Sequence, residues 1–275
     1  MLLKIFAVLS LPLSLLIVLG LDTALWLLPL IYIGCLVLFI LLAALFLVLI
    51  CAMVDMKKPQ REDSRFYRAA LYLYIELIIT LARVTVDTQG LERIPQGRRF
   101  LLVCNHQNET DPGILHHYFR KSQLAFISKK EAEFYPIAGP MMHKTLCQMV
   151  NRENDREALK TILKCIQILK DDQASIGVFP EGGIYELDKL NPFRSGVFKI
   201  AQKAGVPIVV CTLKGTSTIL HKLKRLQPIH VRLHLVDIIP DWQVKEMTTI
   251  QISERVHQLM LDDLGEEYRL EAQSV

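Results

Sequence analysis

The first fifty-four residues have almost no charge: Lys4 and Asp22 are their only charged side chains. A stretch that poor in solvating groups is not the surface of a water-soluble domain. Six cysteines, at 35, 51, 104, 147, 165 and 211, include no Cys-x-x-Cys and no paired spacing. That argues against a disulfide framework, and several lie inside apolar runs that suit reduced, buried thiols in a cytosolic compartment. The net charge of +4 is modest and no basic run interleaves with aromatics, which excludes nucleic acid as the expected partner. No Gly-x-Ser-x-Gly elbow is present, so a serine hydrolase of that type is excluded. No internal repeat or low-complexity segment appears. His116-His117 share no metal-ligand spacing with other His or Cys, and no metal site is expected.

Leu2 to Leu21 is nearly unbroken aliphatic sequence, about the twenty residues needed to cross a hydrocarbon core. After the polar break at Asp22-Thr23, Ala24 to Val54 forms a second apolar run that Pro29 and Gly34 can bend. A second span so soon after the first, with no small-residue cleavage site between, argues against a cleaved signal peptide. Residues 1–56 are therefore expected to be a transmembrane helical hairpin. Lys57, Lys58, Arg61, Arg65 and Arg68 follow the second run, whereas the link between the runs holds no Lys or Arg. The positive-inside rule then puts both ends, and everything after residue 55, on the cytoplasmic side of an integral membrane protein. Residues 57–88 read as a linker with an interfacial helix over 66–84, where Glu76 interrupts the apolar pattern and the tyrosines suit headgroup depth.

Residues 89–275 change to short apolar runs alternating with amphipathic stretches, the pattern of an α/β domain. Strands are expected at Phe100–Cys104, Leu124–Ile127, Gln148–Asn151, Ser175–Phe179, Pro207–Leu213 and His230–Ile238. Helices are expected at Pro112–Phe119, Ala138–Leu146, Asp155–Lys170, Gly196–Ala204 and Thr249–Leu264. Along Asp155–Lys170, the residues Leu159, Ile162, Leu163, Ile166 and Leu169 fall on one face.

Polar residues with chemical potential cluster where these strands end. Asn105-His106 follows the first, and Asp111 stands where a tight loop turns into a helix at Pro112-Gly113. An Asp five residues after a His can hold one ring nitrogen and leave the other as a base. Arg152 lies just past another strand, and Phe179-Pro180-Glu181-Gly182 past a third, with glycine letting a backbone N–H approach a ligand. Arg194 precedes a helix start, where an anion is favoured.

In this order, Asn105-His106 with Asp111, Arg152, Phe179-Pro180-Glu181-Gly182 and Val206-Pro207-Ile208-Val209 resemble the four sequence blocks of the glycerolipid acyltransferase family, most of all its bacterial-type 1-acyl-glycerol-3-phosphate acyltransferases. The likeness spans roughly residues 86 to 240. It implies an α/β fold with a mixed, mostly parallel sheet flanked by helices. It also implies acyl transfer from acyl-CoA or acyl carrier protein, as co-substrate rather than cofactor, to the sn-2 hydroxyl of lysophosphatidate, at a phospholipid membrane. His106 would be the general base and Asp111 its orienting partner, with the substrate hydroxyl standing where a triad has its serine. Arg152 would hold the phosphate, with Lys130 and Arg194 as further cations. Asn105, Glu181, Gly182 and Pro207 complete the implied substrate site, and backbone N–H groups near His106 or Gly182 would take the oxyanion. Glu109, Asn151, Gly183 and Val210 depart from the usual pattern, and Glu109 adds a negative charge beside the base. Acylation of another lysophospholipid or lyso-aminolipid therefore stays open, as does hydrolysis of a membrane lipid.

Overall fold

Four consecutive residues without a charged side chain, Leu101–Cys104, form strand β2 at the centre of the sheet, every one of them fully buried. Runs of that kind suit a parallel strand covered on both faces. The computed structural model describes residues 1–151 and 154–270. Its elements run α1 (Leu2–Gly20), α2 (Leu28–Ala52), α3 (Arg65–Leu81), β1 (Val84–Gln89), β2, α4 (Asp111–Tyr118), β3 (Ala125–Lys129), α5 (Ala138–Lys144) and β4 (Gln148–Val150). They continue with α6 (Asp155–Lys170), β5 (Ile176–Val178), α7 (Lys199–Ala204), β6 (Ile208–Lys214), α8 (Ile219–Lys224), β7 (Ile229–Ile239), α9 (Asp241–Glu246) and α10 (Thr249–Leu264).

Among the described residues the seven strands pair in the order β1-β7-β6-β2-β5-β3-β4, and only β6–β7 is antiparallel. The sheet is thus mixed and mostly parallel. One face packs on α6, α7 and α10 through Cys165, Ile166, Ile200, Ile252, Val256 and Met260. The other packs on α4 and α8 through Ile114, Leu115, Phe119 and Ile219.

Two expectations need correction. No strand is expected at β1, which starts at the end of the helix expected over 66–84 and crosses the expected boundary at 88, so the sheet begins at Val84. On α6, Leu159 and Leu163 are 51% and 58% exposed. The buried stripe centres instead on Cys165, Ile168 and Leu169, rotated from the face the leucines suggested.

The apolar N-terminal runs form two helices, each long and apolar enough to cross a membrane. They pack as a hairpin, with Phe6 stacked on Phe39 at 5.8 Å and the Tyr32 hydroxyl donating to the Ala7 carbonyl at 3.2 Å. α3 joins this hairpin to the sheet. Tyr67 and Tyr74, seven residues apart, donate to the carbonyls of Ile50 and Ala43, also seven apart, so α3 runs antiparallel to the end of α2. On its other side Arg68 is buried, bonded to Asp63 at 2.7 Å and to the carbonyls of Leu124 and Thr145. The helix is thus held between hairpin and domain, with Ile78 and Leu81 left exposed at its end.

Candidate active site

Parallel strands bring several loops to one edge of the sheet, outside their carboxyl ends, where ligands of open α/β sheets bind. The loop after β2 carries His106. Its ring Nδ1 lies 3.0 Å from Asp111 Oδ2, and Asp111 is fully buried at the first turn of α4. The same oxygen accepts the backbone N–H groups of Gln107 at 2.7 Å and Asn108 at 2.8 Å. Three donors on one carboxylate oxygen fix the loop and favour the tautomer with hydrogen on Nδ1. Nε2 is then an acceptor, and the His106 ring lines a cavity.

The His106 plane is set by a column of aromatics. Phe179 stacks on the imidazole at 4.1 Å and Phe126 on Phe179 at 5.6 Å. Gly177 makes that column possible, because a Cβ there would lie 2.4 Å from the Phe126 ring. No expectation named Phe126, Phe179 or Gly177 as functional. The only signal was the Phe of the Phe-Pro-Glu-Gly block.

Glu181 is 2% exposed and faces inward. Its Oε1 accepts the His106 N–H at 2.7 Å, and its Oε2 accepts the backbone and side-chain N–H groups of Asn191 at 3.0 and 2.7 Å. Burial raises its carboxyl above the usual carboxylate range, with the Asn191 and His106 N–H bonds opposing that rise. Asn105 is likewise turned into the protein: its amide donates to the Leu213 carbonyl at 2.9 Å and accepts the Leu213 N–H at 2.7 Å, tying the end of β2 to that of β6. Gln107 was overlooked; it donates to the Lys189 carbonyl at 2.9 Å and pins the loop that carries Asn191. Cys104, buried beside the motif, has its thiol pushed well above the ordinary range by desolvation, which leaves no thiolate there.

Other expected site residues lie elsewhere. Pro207 precedes β6, and its carbonyl accepts from Leu101 at the start of β2. It therefore sits at the amino end of the strands, about 20 Å from the level of His106 at 3.3 Å per residue. The valine-proline block marks a strand's beginning, not the site. Lys130 points away to Glu157 at 3.8 Å, whereas its neighbour Lys129 lines the cavity and pairs with Glu109 at 3.3 Å. Arg194 is exposed and packs on Gly182, whose φ of +77° leaves no room for a side chain: a Cβ would stand 2.8 Å from the Arg194 Nε. Arg152 lies outside the described residues. The expected oxyanion donors at His106 and Gly182 are already used, on Glu181 and on the Phe179 carbonyl at 3.0 Å. Among the described residues, the Gly183 N–H at the cavity wall makes no hydrogen bond.

The cavity, about 800 Å³, runs from His106 between α3, α4, α5 and α8. Leu71, Ile75, Ile79, Ile114, Met142 and Ile219 give it an apolar wall, with Glu109 and Lys129 among its few charged groups. Its size and character suit an acyl chain rather than a polar metabolite.

Residues 85–214 match the family model described as Acyltransferase. The chain is 29% identical over 193 residues to a probable 1-acyl-sn-glycerol-3-phosphate acyltransferase of Mycoplasma pneumoniae, covering 67% of this chain and 71% of that one. It is 35% identical over 155 residues to a 1-acyl-sn-glycerol-3-phosphate acyltransferase of Chlamydomonas reinhardtii, covering 55% of this chain and 46% of that one. For the enzyme of that name from Escherichia coli the identity is 28% over 154 residues, with 56% and 61% covered. The chain thus spans less than two thirds of the length of the latter two relatives. The crystal structure of a 1-acyl-sn-glycerophosphate acyltransferase from Thermotoga maritima has the same fold, with a TM-score of 0.57, 21% identity, and coverage of 78% of this chain and 86% of that one.

Proposed function

We propose that this chain is a member of the glycerolipid acyltransferase family and transfers an acyl group from a thioester to the sn-2 hydroxyl of 1-acyl-glycerol-3-phosphate, giving phosphatidic acid. The observation that carries this reading is the His106–Asp111 dyad: it faces an apolar cavity, and among the described residues no serine or cysteine is hydrogen-bonded to the His106 ring. The nucleophile must then come from the substrate.

In this reading His106 Nε2 takes the hydroxyl proton as the oxygen attacks the thioester carbon. Asp111 stabilises the imidazolium that forms. The tetrahedral oxyanion is met by the Gly183 N–H, the donor left over once the neighbouring amides are assigned. Collapse breaks the carbon–sulfur bond, and the imidazolium returns its proton to the leaving thiolate. Glu181, Asn105 and Gln107 act as positioning residues that hold the His106 loop. The phosphate is held by Arg152, with Lys129 at the cavity wall and Arg194 against Gly182 as further cations. The donor is acyl-CoA or acyl carrier protein. The hairpin anchors the protein in the bilayer, with the catalytic domain on the cytoplasmic side, and no metal or cofactor takes part.

Purified enzyme assayed with lysolipids of different head groups tests the reading. Lysophosphatidate should be the preferred acceptor, and His106→Ala should lower turnover by about two to four orders of magnitude with the fold retained. Activity that survives that substitution sinks the mechanism. The Glu109–Lys129 pair beside the base favours a second reading, a zwitterionic head group. Preference for such an acceptor over lysophosphatidate in the same assay would establish it.

A further inference from the structure

Between Gly215 and Val236 the chain has no acidic residue. Within that stretch α8 and the turn after it alternate leucines with bases, Leu220-His221-Lys222-Leu223-Lys224-Arg225-Leu226. Leu220, Leu223 and Leu226 are 58%, 40% and 80% exposed. Among the described residues, no carboxylate pairs with Lys222, Lys224 or Arg225. Leu226 also holds φ at 54°, an unfavourable backbone region for a bulky residue, so neither backbone preference nor burial in the protein accounts for a leucine there. Exposed leucines interleaved with unpaired cations fit a partner that is apolar inside and anionic at its surface.

The placement of this segment identifies the partner further. Leu220 and Leu223 line the same cavity as Ile78 and Ala82 at the end of α3. The chain then enters β7, whose Ile229 pairs with Val84, three residues beyond α3. α3 itself is tied to the base of the hairpin, through Glu76 to the Met1 amino group and through Tyr74 to Ala43. Ile78, exposed near the end of α3, therefore forms one apolar border of the cavity beside the hairpin, and Leu220 and Leu223 of α8 form another.

We propose that residues 219–226 are a second membrane contact, docked on the anionic phospholipid surface beside the hairpin. This rests on the reading of the hairpin as a membrane anchor. The leucines enter the acyl layer and Lys222, Lys224 and Arg225 meet the lipid phosphates. A bilayer lipid then passes between α3 and α8 into the cavity without crossing water.

The test uses the full chain in nanodiscs. All six native cysteines are buried, so a Leu226→Cys variant takes a single environment-sensitive fluorophore. In discs containing phosphatidylglycerol its emission should shift to the blue and be quenched by doxyl-labelled lipid, and both effects should weaken in phosphatidylcholine alone. Water-like, unquenched emission in both discs overturns the proposal. That readout needs no activity, so it stands or falls separately from the assigned reaction. In the second arm, Lys222→Glu, Lys224→Glu and Arg225→Glu are combined. Turnover in phosphatidylglycerol vesicles should fall roughly tenfold or more, given the usual gain of each cation at an anionic surface, and turnover in neutral detergent micelles should hold. Equal loss in both media, or none in vesicles, overturns it. So does a loss confined to acyl carrier protein as donor in micelles, which would give the surface to an acidic protein.

Discussion

At the scale of single residues, the site depends on residues set back from the cavity. Gly177 is the sharpest case, since the ring it makes room for supports the one that stacks on the base. Gly177→Ala should cost about 1–3 kcal/mol by overpacking and should lower kcat more than it raises KM, as thermal denaturation and steady-state kinetics would register. His116 makes a second prediction. Desolvation at the cavity wall lowers its pKa from 6.5 to about 3, with the Arg68 charge adding to the effect, and its Nδ1 is buried without a partner. The unfolded chain therefore binds a proton between those values that the folded chain refuses. The stabilising effect of keeping His116 neutral is complete above pH 6.5 and is lost as pH falls toward 3. At pH 4.5 the loss is about 2–3 kcal/mol, and His116→Leu should remove that part of the acid sensitivity in denaturation curves measured at both pH values.

Among the elements, α3 is the joint on which the arrangement turns. Its Arg68 is shared by Asp63 and two backbone carbonyls from different parts of the domain. Arg68→Ala would strand a nearly buried carboxylate and two acceptors, and should destabilise the domain by about 3–5 kcal/mol, seen as a fall in Tm. What the sequence disclosed at this scale follows from burial. The central strands and the long helices α6 and α10 were legible because continuous apolar runs or a 3.6-residue period announce them. β1 was hidden because it is a half-exposed edge strand, Val-Thr-Val-Asp-Thr-Gln, directly behind an apolar helix. α8 and α9, six residues each, are too short to show a period. In the site, His106 and Asp111 were legible from one loop. Lys129 was mistaken for Lys130 because sequence does not say which of two adjacent lysines a strand's end turns toward the cavity. The inward turn of Glu181 and Asn105 depends on Asn191 and Leu213, ten and 108 residues away.

For the whole molecule, hairpin, α3 and α5 share one small apolar cluster in which Ile50 and Cys51 meet Ala70 and Met141. Deleting residues 1–54 should leave a folded domain, since the sheet's two cores contain no residue of the hairpin. It should also uncover Tyr67, Ala70, Leu71 and Tyr74 on α3. The truncated protein is expected to co-sediment with lipid vesicles, and a fraction that stays wholly in the supernatant would refute lipid contact by α3.

The pairing of β1 has a consequence for synthesis. Val84 leaves the ribosome soon after the hairpin, yet its partner Ile229 is made 145 residues later. The nascent chain is therefore tethered at one end while β1 waits unpaired through the synthesis of the strands between. Enclosure of the cavity against the bilayer should be the last assembly event, and a ribosome stalled before residue 229 should hold a membrane-bound chain that is protease-sensitive at β1.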